Sequence, residues 1–188
     1  IDGAQEPQLD TLQGILMAVG PVTQTDNLVG ARFSKLAINC AVSGLGTVAG
    51  TALGTMLNDR KARNIALAVM REAVAVSRAE GIALESLSGT FDLNWVADPN
   101  ASNRGPSHWA RHALLLSVGF KYRKLRSSML RAIEQGRAPA VDFINGEIAS
   151  RGRALNIATP INETVTTLIH QIARGEQTAS PDLLRTVQ

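Results

Sequence analysis

From Leu28 to Leu57 the chain runs for thirty residues with two charges, Arg32 and Lys35, and is interrupted in its second half by Gly44, Gly46, Gly50 and Gly54. So apolar a stretch has to be buried, and the glycines restrict how. Each weakens a helix by about 1 kcal/mol relative to alanine. That cost is offset where the missing side chain lets two backbones approach closely. The segment therefore predicts two helices, or one broken helix, buried against neighbours. It is not read as a membrane span, because no run of about 18 uninterrupted apolar residues occurs in the chain.

The rest of the pattern is helical too. Aromatics make up 4% of the residues against 45% apolar overall, so the core must be built from Ala, Val, Leu and Ile, which suits closely packed helices. In residues 7–19, Leu9, Leu12, Ile15, Leu16 and Val19 recur at helical spacing, and Gly20-Pro21 ends the run. Asn58-Asp59 reads as a helix start, and Ile65, Val69, Ala73 and Val76 form one stripe up to a stop at Gly81. Residues 82–106 read as a long loop rich in Ser, Gly, Asp and Asn, including Ser86, Ser88, Gly89, Asn103 and Gly105. Helix resumes near Ser107 and runs to Gln135, with a break at Gly119. Further helices are expected over 140–154, from Pro160 to Arg174, and after Ser180. Nothing alternates for long enough to be a strand. The expectation is one all-α domain of seven or eight helices.

Several functional classes have little support. Gly44-Leu45-Gly46-Thr47-Val48-Ala49 matches a dinucleotide fingerprint, but that motif needs a strand before it, and FSKLAINCAV reads as helix. Helix packing is the better reading. His108 and His112 stand four apart, as two metal ligands on one helix would, yet no third ligand lies nearby. They read as exposed helix histidines, and no metal is expected. No GxSxG elbow suggests a serine hydrolase. The net charge is +3, and between Arg104 and Arg137 eight Lys or Arg accompany one acid, Glu134. Such a stretch suits phosphates or nucleic acid, or is simply a solvated face. Scarce aromatics and the lack of any recognition motif argue against nucleic acid. The lone Cys40 excludes an internal disulfide and fits a reducing, cytoplasmic setting. No signal peptide is visible, since Ile1 is followed by Asp2 and Glu6; a chain opening on Ile1 is read as a fragment.

Lys35 is the more informative residue. On a nearly uncharged helix a lysine must snorkel, pair, or occupy a polar cleft. Asn39 lies one turn on and Ser43 one turn further, so the three form a polar ladder on one face. A partly desolvated lysine can deliver a proton near neutrality, and the Asn and Ser can hydrogen-bond a small oxygenated ligand. The other reading is a helix edge with a snorkelling lysine and two tolerated polar groups.

Taken in order, the segments resemble a known family. Phe33-Ser34-Lys35-Leu36-Ala37-Ile38-Asn39 is similar to the WxKLxxN motif of ketopantoate reductases. Glu72 with Ala79-Glu80-Gly81, Ser127-Ser128-Met129, Gly136-Arg137 with Val141-Asp142-Phe143-Ile144-Asn145-Gly146, and Gly152 with Thr159-Pro160-Ile161-Asn162 resemble four further motifs of its C-terminal domain. The resemblance covers about residues 26–175. It implies an all-α domain like the 6-phosphogluconate dehydrogenase C-terminal-like fold over 26–188. Residues 1–25 would be the tail of a nucleotide-binding domain and its connection. It implies NADPH-dependent reduction of 2-dehydropantoate to pantoate, with NADPH bound mainly by that absent domain and the fragment inactive alone. Lys35 would be the general acid; Asn39, Ser43 and Ser128 would bind the 2-oxo acid. A homodimer is expected, and no membrane or nucleic acid. On charge alone, and not from the resemblance, Arg123, Lys124 and Arg126 of the basic stretch are expected to face NADPH phosphates. The chain departs from the family at Ser43 and Leu53, where asparagines are usual, and at Ala140, where a glutamate is usual. These departures leave open a related 2-oxo acid, or a catalytically silent helical module serving dimerisation or partner binding.

Overall fold

A computed structural model describes residues 7–187 apart from 21, 23, 87–90 and 103. Pro21, Ser88, Gly89 and Asn103, like Asp2 and Glu6, therefore lie outside the described residues. Among those described there are eleven α-helical segments and no strand: α1 (Pro7–Met17), α2 (Leu28–Asn39), α3 (Leu45–Ala49), α4 (Leu53–Asn58), α5 (Arg60–Ala79), α6 (Leu93–Val96), α7 (Pro106–Lys121), α8 (Ser128–Glu134), α9 (Asn145–Ala154), α10 (Pro160–Ala173) and α11 (Pro181–Leu184). No helix is long and apolar enough to cross a membrane.

The hub is α5. Asp59 caps it by accepting from the Lys61 amide, and Ile65, Val69, Ala73 and Val76 are all buried. Around it pack α2, α4, α6, α7, α9 and α10. The all-α expectation therefore holds, with more segments than foreseen. The Leu28–Leu57 stretch divides into α2, a π-helical turn over Cys40–Gly44, α3 and α4. Its glycines act as spacers. A Cβ on Gly54 would sit 2.7 Å from the Arg123 Cα and 3.0 Å from the Gly119 carbonyl oxygen, so α4 and α7 cross backbone to backbone. Gly44 and Gly46 are buried within helix, as the packing reading of the false fingerprint required.

Three boundaries differ from expectation. The 82–106 region is not all loop: Asp92 caps α6, whose Leu93 and Val96 enter the core. The α7–α8 break falls after Lys121, because Gly119 is used for the crossing with α4. The expected 140–154 helix splits into a 3-10 turn, Ala140–Phe143, and α9, separated by Ile144 at φ −120° and ψ −95°.

The histidine expectation is wrong. His108 and His112 are buried, not exposed, with ring centroids 4.4 Å apart. The Arg63 Nε donates to His112 Nδ1 at 3.0 Å, and its Nη1 donates to the Leu57 and Asn58 carbonyls at the end of α4. Burial, then the positive charge of His108, Arg63, Arg60 and Arg71, pushes His112 down to about 4. An unfolded histidine titrates near ~6.5, so on acidification the unfolded chain takes this proton first. The stabilisation is complete above about pH 6.5 and is lost as pH falls toward 4. Thermal melts are expected to show a falling melting temperature across that window, and a shallower fall in His112→Gln. Equal slopes in both proteins would exclude His112 as the cause.

Candidate functional site

The α2 helix starts at Asn27, whose side chain accepts from the Gly30 amide, and it buries Phe33, Ser34 and Ala37. Its other face borders a cleft of about 730 Å³ whose walls include Arg32, Lys35, Asn39, Phe143, Glu147 and Arg151. Lys35 is exposed and Asn39 half-buried. The expected partly desolvated lysine is thus not found within this chain: Lys35 stands on the cleft wall, open to solvent. Arg151 is anchored by Glu147 and Glu80, each at 2.7 Å. With Arg151 compensated by these two carboxylates, Arg32 and Lys35 are the remaining cations of the walls, and they favour an anionic ligand.

The helix widens immediately after Asn39. In a π-helical turn the backbone bonds skip one residue further, so carbonyls are left for other donors; such turns recur at functional sites. Here the Cys40 and Ser43 carbonyls accept from side chains. Asn145 Nδ2 donates to the first at 3.3 Å; Thr47 Oγ1 and Ser127 Oγ donate to the second at 2.8 and 3.1 Å. Asn145 is fully buried and is held in turn by Asn162, whose Oδ1 accepts from it at 2.9 Å. Asn162 Nδ2 donates to Glu72 and to the Val69 carbonyl. The Glu72 carboxylate also accepts from the Ile161 and Asn162 amides at the start of α10. Burial raises the Glu72 carboxyl above its usual value, against the lowering effect of these bonds. A chain of buried polar groups therefore joins α5, α9 and α10 to the turn that follows Asn39. Gly44 is part of the fit: a Cβ there would lie 2.3 Å from Asn145 Oδ1.

The sequence candidates separate accordingly. Lys35 and Asn39 share the cleft. Ser43 is half-buried on the π turn, its Oγ 3.5 Å from Ser127 Oγ, so the structure joins it to Ser127 rather than to Ser128. Ser127 caps α8 through the Leu130 amide, and Ser128 is the exposed first residue of that helix. Neither Ser43 nor Ser128 lines the cleft. Arg123, Lys124 and Arg126 do not line it either, and Arg126 pairs with Glu134 at 3.5 Å. The basic stretch is not one face, since Arg111 is buried with its Nε on the Trp95 carbonyl. Sequence reasoning missed Arg151, Glu147 and Phe143 as cleft residues. Their only signal was lying in or just after the Asn-Gly block.

The pattern of the family described as "Ketopantoate reductase PanE/ApbA C terminal" matches residues 27–173. The chain is 28% identical over 163 residues to the 2-dehydropantoate 2-reductase of Vibrio cholerae, an alignment covering 87% of this chain and 46% of that one. A solved PanE/ApbA family ketopantoate reductase from Ralstonia eutropha is 25% identical with a TM-score of 0.67, covering 90% of this chain and 49% of that one. A D-mandelate dehydrogenase is 21% identical with a TM-score of 0.70, covering 93% and 50%; it shares the fold. The chain thus spans about half the length of the proteins it matches. With the motifs of the cleft and of its buried supports both present, the chain belongs to the ketopantoate reductase family, as its C-terminal helical domain.

Proposed function

We propose that this chain is the substrate-binding half of a nicotinamide-dependent 2-oxo acid reductase, with Lys35 as the general acid. The observation that carries the reading is the cationic cleft in which Lys35 and Asn39 stand one turn apart. The relatives support it. The Vibrio protein is a 2-dehydropantoate 2-reductase, and the D-mandelate dehydrogenase was solved with NADH and anilino(oxo)acetate.

This chain offers no phosphate-cradling loop among its described residues, since its one glycine fingerprint is buried helix. The dinucleotide, NADPH on the family reading, is therefore held mainly by a separate nucleotide-binding domain. Residues 1–25 form the end of that domain and its connection. The family match beginning at residue 27 supports this division, as do the uncovered Leu12, Ile15 and Leu16 of α1. Leu28, Val29 and Phe143, all exposed at the cleft, form the wall that faces the cofactor. When bound, a reduced nicotinamide would provide the hydride that the carbonyl carbon takes up. The Lys35 ammonium donates a proton to the carbonyl oxygen, leaving a neutral amine that water reprotonates, and the product is the 2-hydroxy acid. Asn39 hydrogen-bonds the substrate; Ser43 and Ser128, which do not line the cleft, are left out of this role. Uncovered Trp109, Leu116 and Phe120 along α7 support a homodimer.

The test is reduced-nicotinamide oxidation by the full-length parent with a panel of 2-oxo acids led by 2-dehydropantoate. Oxidation matched mole for mole by 2-hydroxy acid is expected. A parent that binds the nucleotide yet oxidises it with no panel member would favour the silent helical module.

A further inference from the structure

A second cavity, of about 440 Å³, opens on the other side of the ladder. Its walls include Ile38 and Val42, which lie three residues on from Lys35 and Asn39 and so stand beside them on the helix surface. Leu53, buried at the start of α4, and Leu114 and Val118 of α7 form much of the remainder. The polar lining residues are Ser117, Lys121 and Tyr122, and all three are exposed, which places them at the mouth. The Ser117 hydroxyl is already spent on the Leu114 carbonyl at 2.7 Å. The depth of the cavity therefore offers a ligand no hydrogen bond from a side chain. An apolar cavity of about 150 Å³ stays dry and takes up benzene, so this one has ample room for a ring or a branched chain.

We infer that this cavity receives the substrate's side chain, and that the acid reduced carries a bulky apolar or aromatic group rather than a hydroxylated one. The inference rests on the reductase reading above, with the carboxylate and carbonyl held at Asn39 and Lys35. Ile38 and Val42 stand between the ladder and this cavity, so a third substituent directed past them enters apolar surroundings. A hydroxyl carried there loses its water and gains no partner. Even an isostere that merely adds a hydroxyl is rejected by a hydrophobic pocket about a hundredfold.

The experiment compares kcat/KM of the full-length parent for phenylglyoxylate, 4-methyl-2-oxopentanoate, pyruvate and 2-dehydropantoate. Phenylglyoxylate is expected to exceed 2-dehydropantoate by about a hundredfold. Val118→Phe, which fills the cavity, should lower the phenylglyoxylate-to-pyruvate ratio at least about tenfold, as loss of a methylene-sized space does. Leu53→Asn should shift preference toward 2-dehydropantoate, and it serves alone if the Phe variant fails to fold by circular dichroism. Preference for 2-dehydropantoate in the wild type, or ratios unmoved by the folded variants, would overturn the inference while leaving the reductase intact. No turnover of any of the four acids would remove the reductase reading, and the inference with it.

Discussion

Asn162→Ala is expected to destabilise the domain by about 4 kcal/mol, among the larger effects a single buried polar residue produces. The residue is fully buried and spends its whole side chain inside the protein. Its amide donates to Glu72 at 2.7 Å and to the Val69 carbonyl at 3.2 Å, and its oxygen accepts from Asn145 at 2.9 Å. Alanine leaves these three partners without it in a site that water cannot easily reach, and each stranded group costs about 1–3 kcal/mol. Glu72 is the least affected, because its carboxylate keeps the two amides of α10. Urea unfolding checks the figure. A loss below about 1 kcal/mol would mean that the network is ornamental. Asn145 would also lose its anchor, so the π turn under Asn39 should loosen with the fold.

The stripe of α5 could be read directly, because Ile65, Val69, Ala73 and Val76 repeat at the helical period and all face the core. So could the starts of α10 and α11, where Pro160 and Ser180-Pro181 announce them. The π turn could not. Its sequence has ordinary helical spacing, and the bond that accommodates it comes from Asn145, 105 residues away. His108 and His112 looked like a solvated pair for the same reason: Arg63, which donates to His112, lies 49 residues before it on another helix. The motifs shared with the family also divided into roles that sequence alone does not separate. Lys35 and Asn39 border the cleft, whereas Glu72, Asn145 and Asn162 are its internal braces. Ser127 and Ser128 are adjacent in sequence, yet one braces the Ser43 carbonyl and the other opens to solvent. Which of two neighbours turns inward depends on where the capping residue of α8 falls.

The central claim is that Lys35 is the acid of a carbonyl reduction. Lys35→Ala in the full-length parent tests it, with reduced-nicotinamide oxidation as the signal and the best 2-oxo acid as substrate. Lys35 is exposed on a helix face, so its removal should leave the fold within about 0.5 kcal/mol of wild type. Nucleotide affinity should also persist, because the phosphates are held elsewhere on the reading given above. A positioned general acid contributes about 10²–10⁴-fold, and the ammonium also stabilises the alkoxide as it forms. The account predicts that kcat falls by at least about a hundredfold in a folded, nucleotide-binding variant. A variant that turns over within a few-fold of wild type would contradict it and require another proton donor in the site.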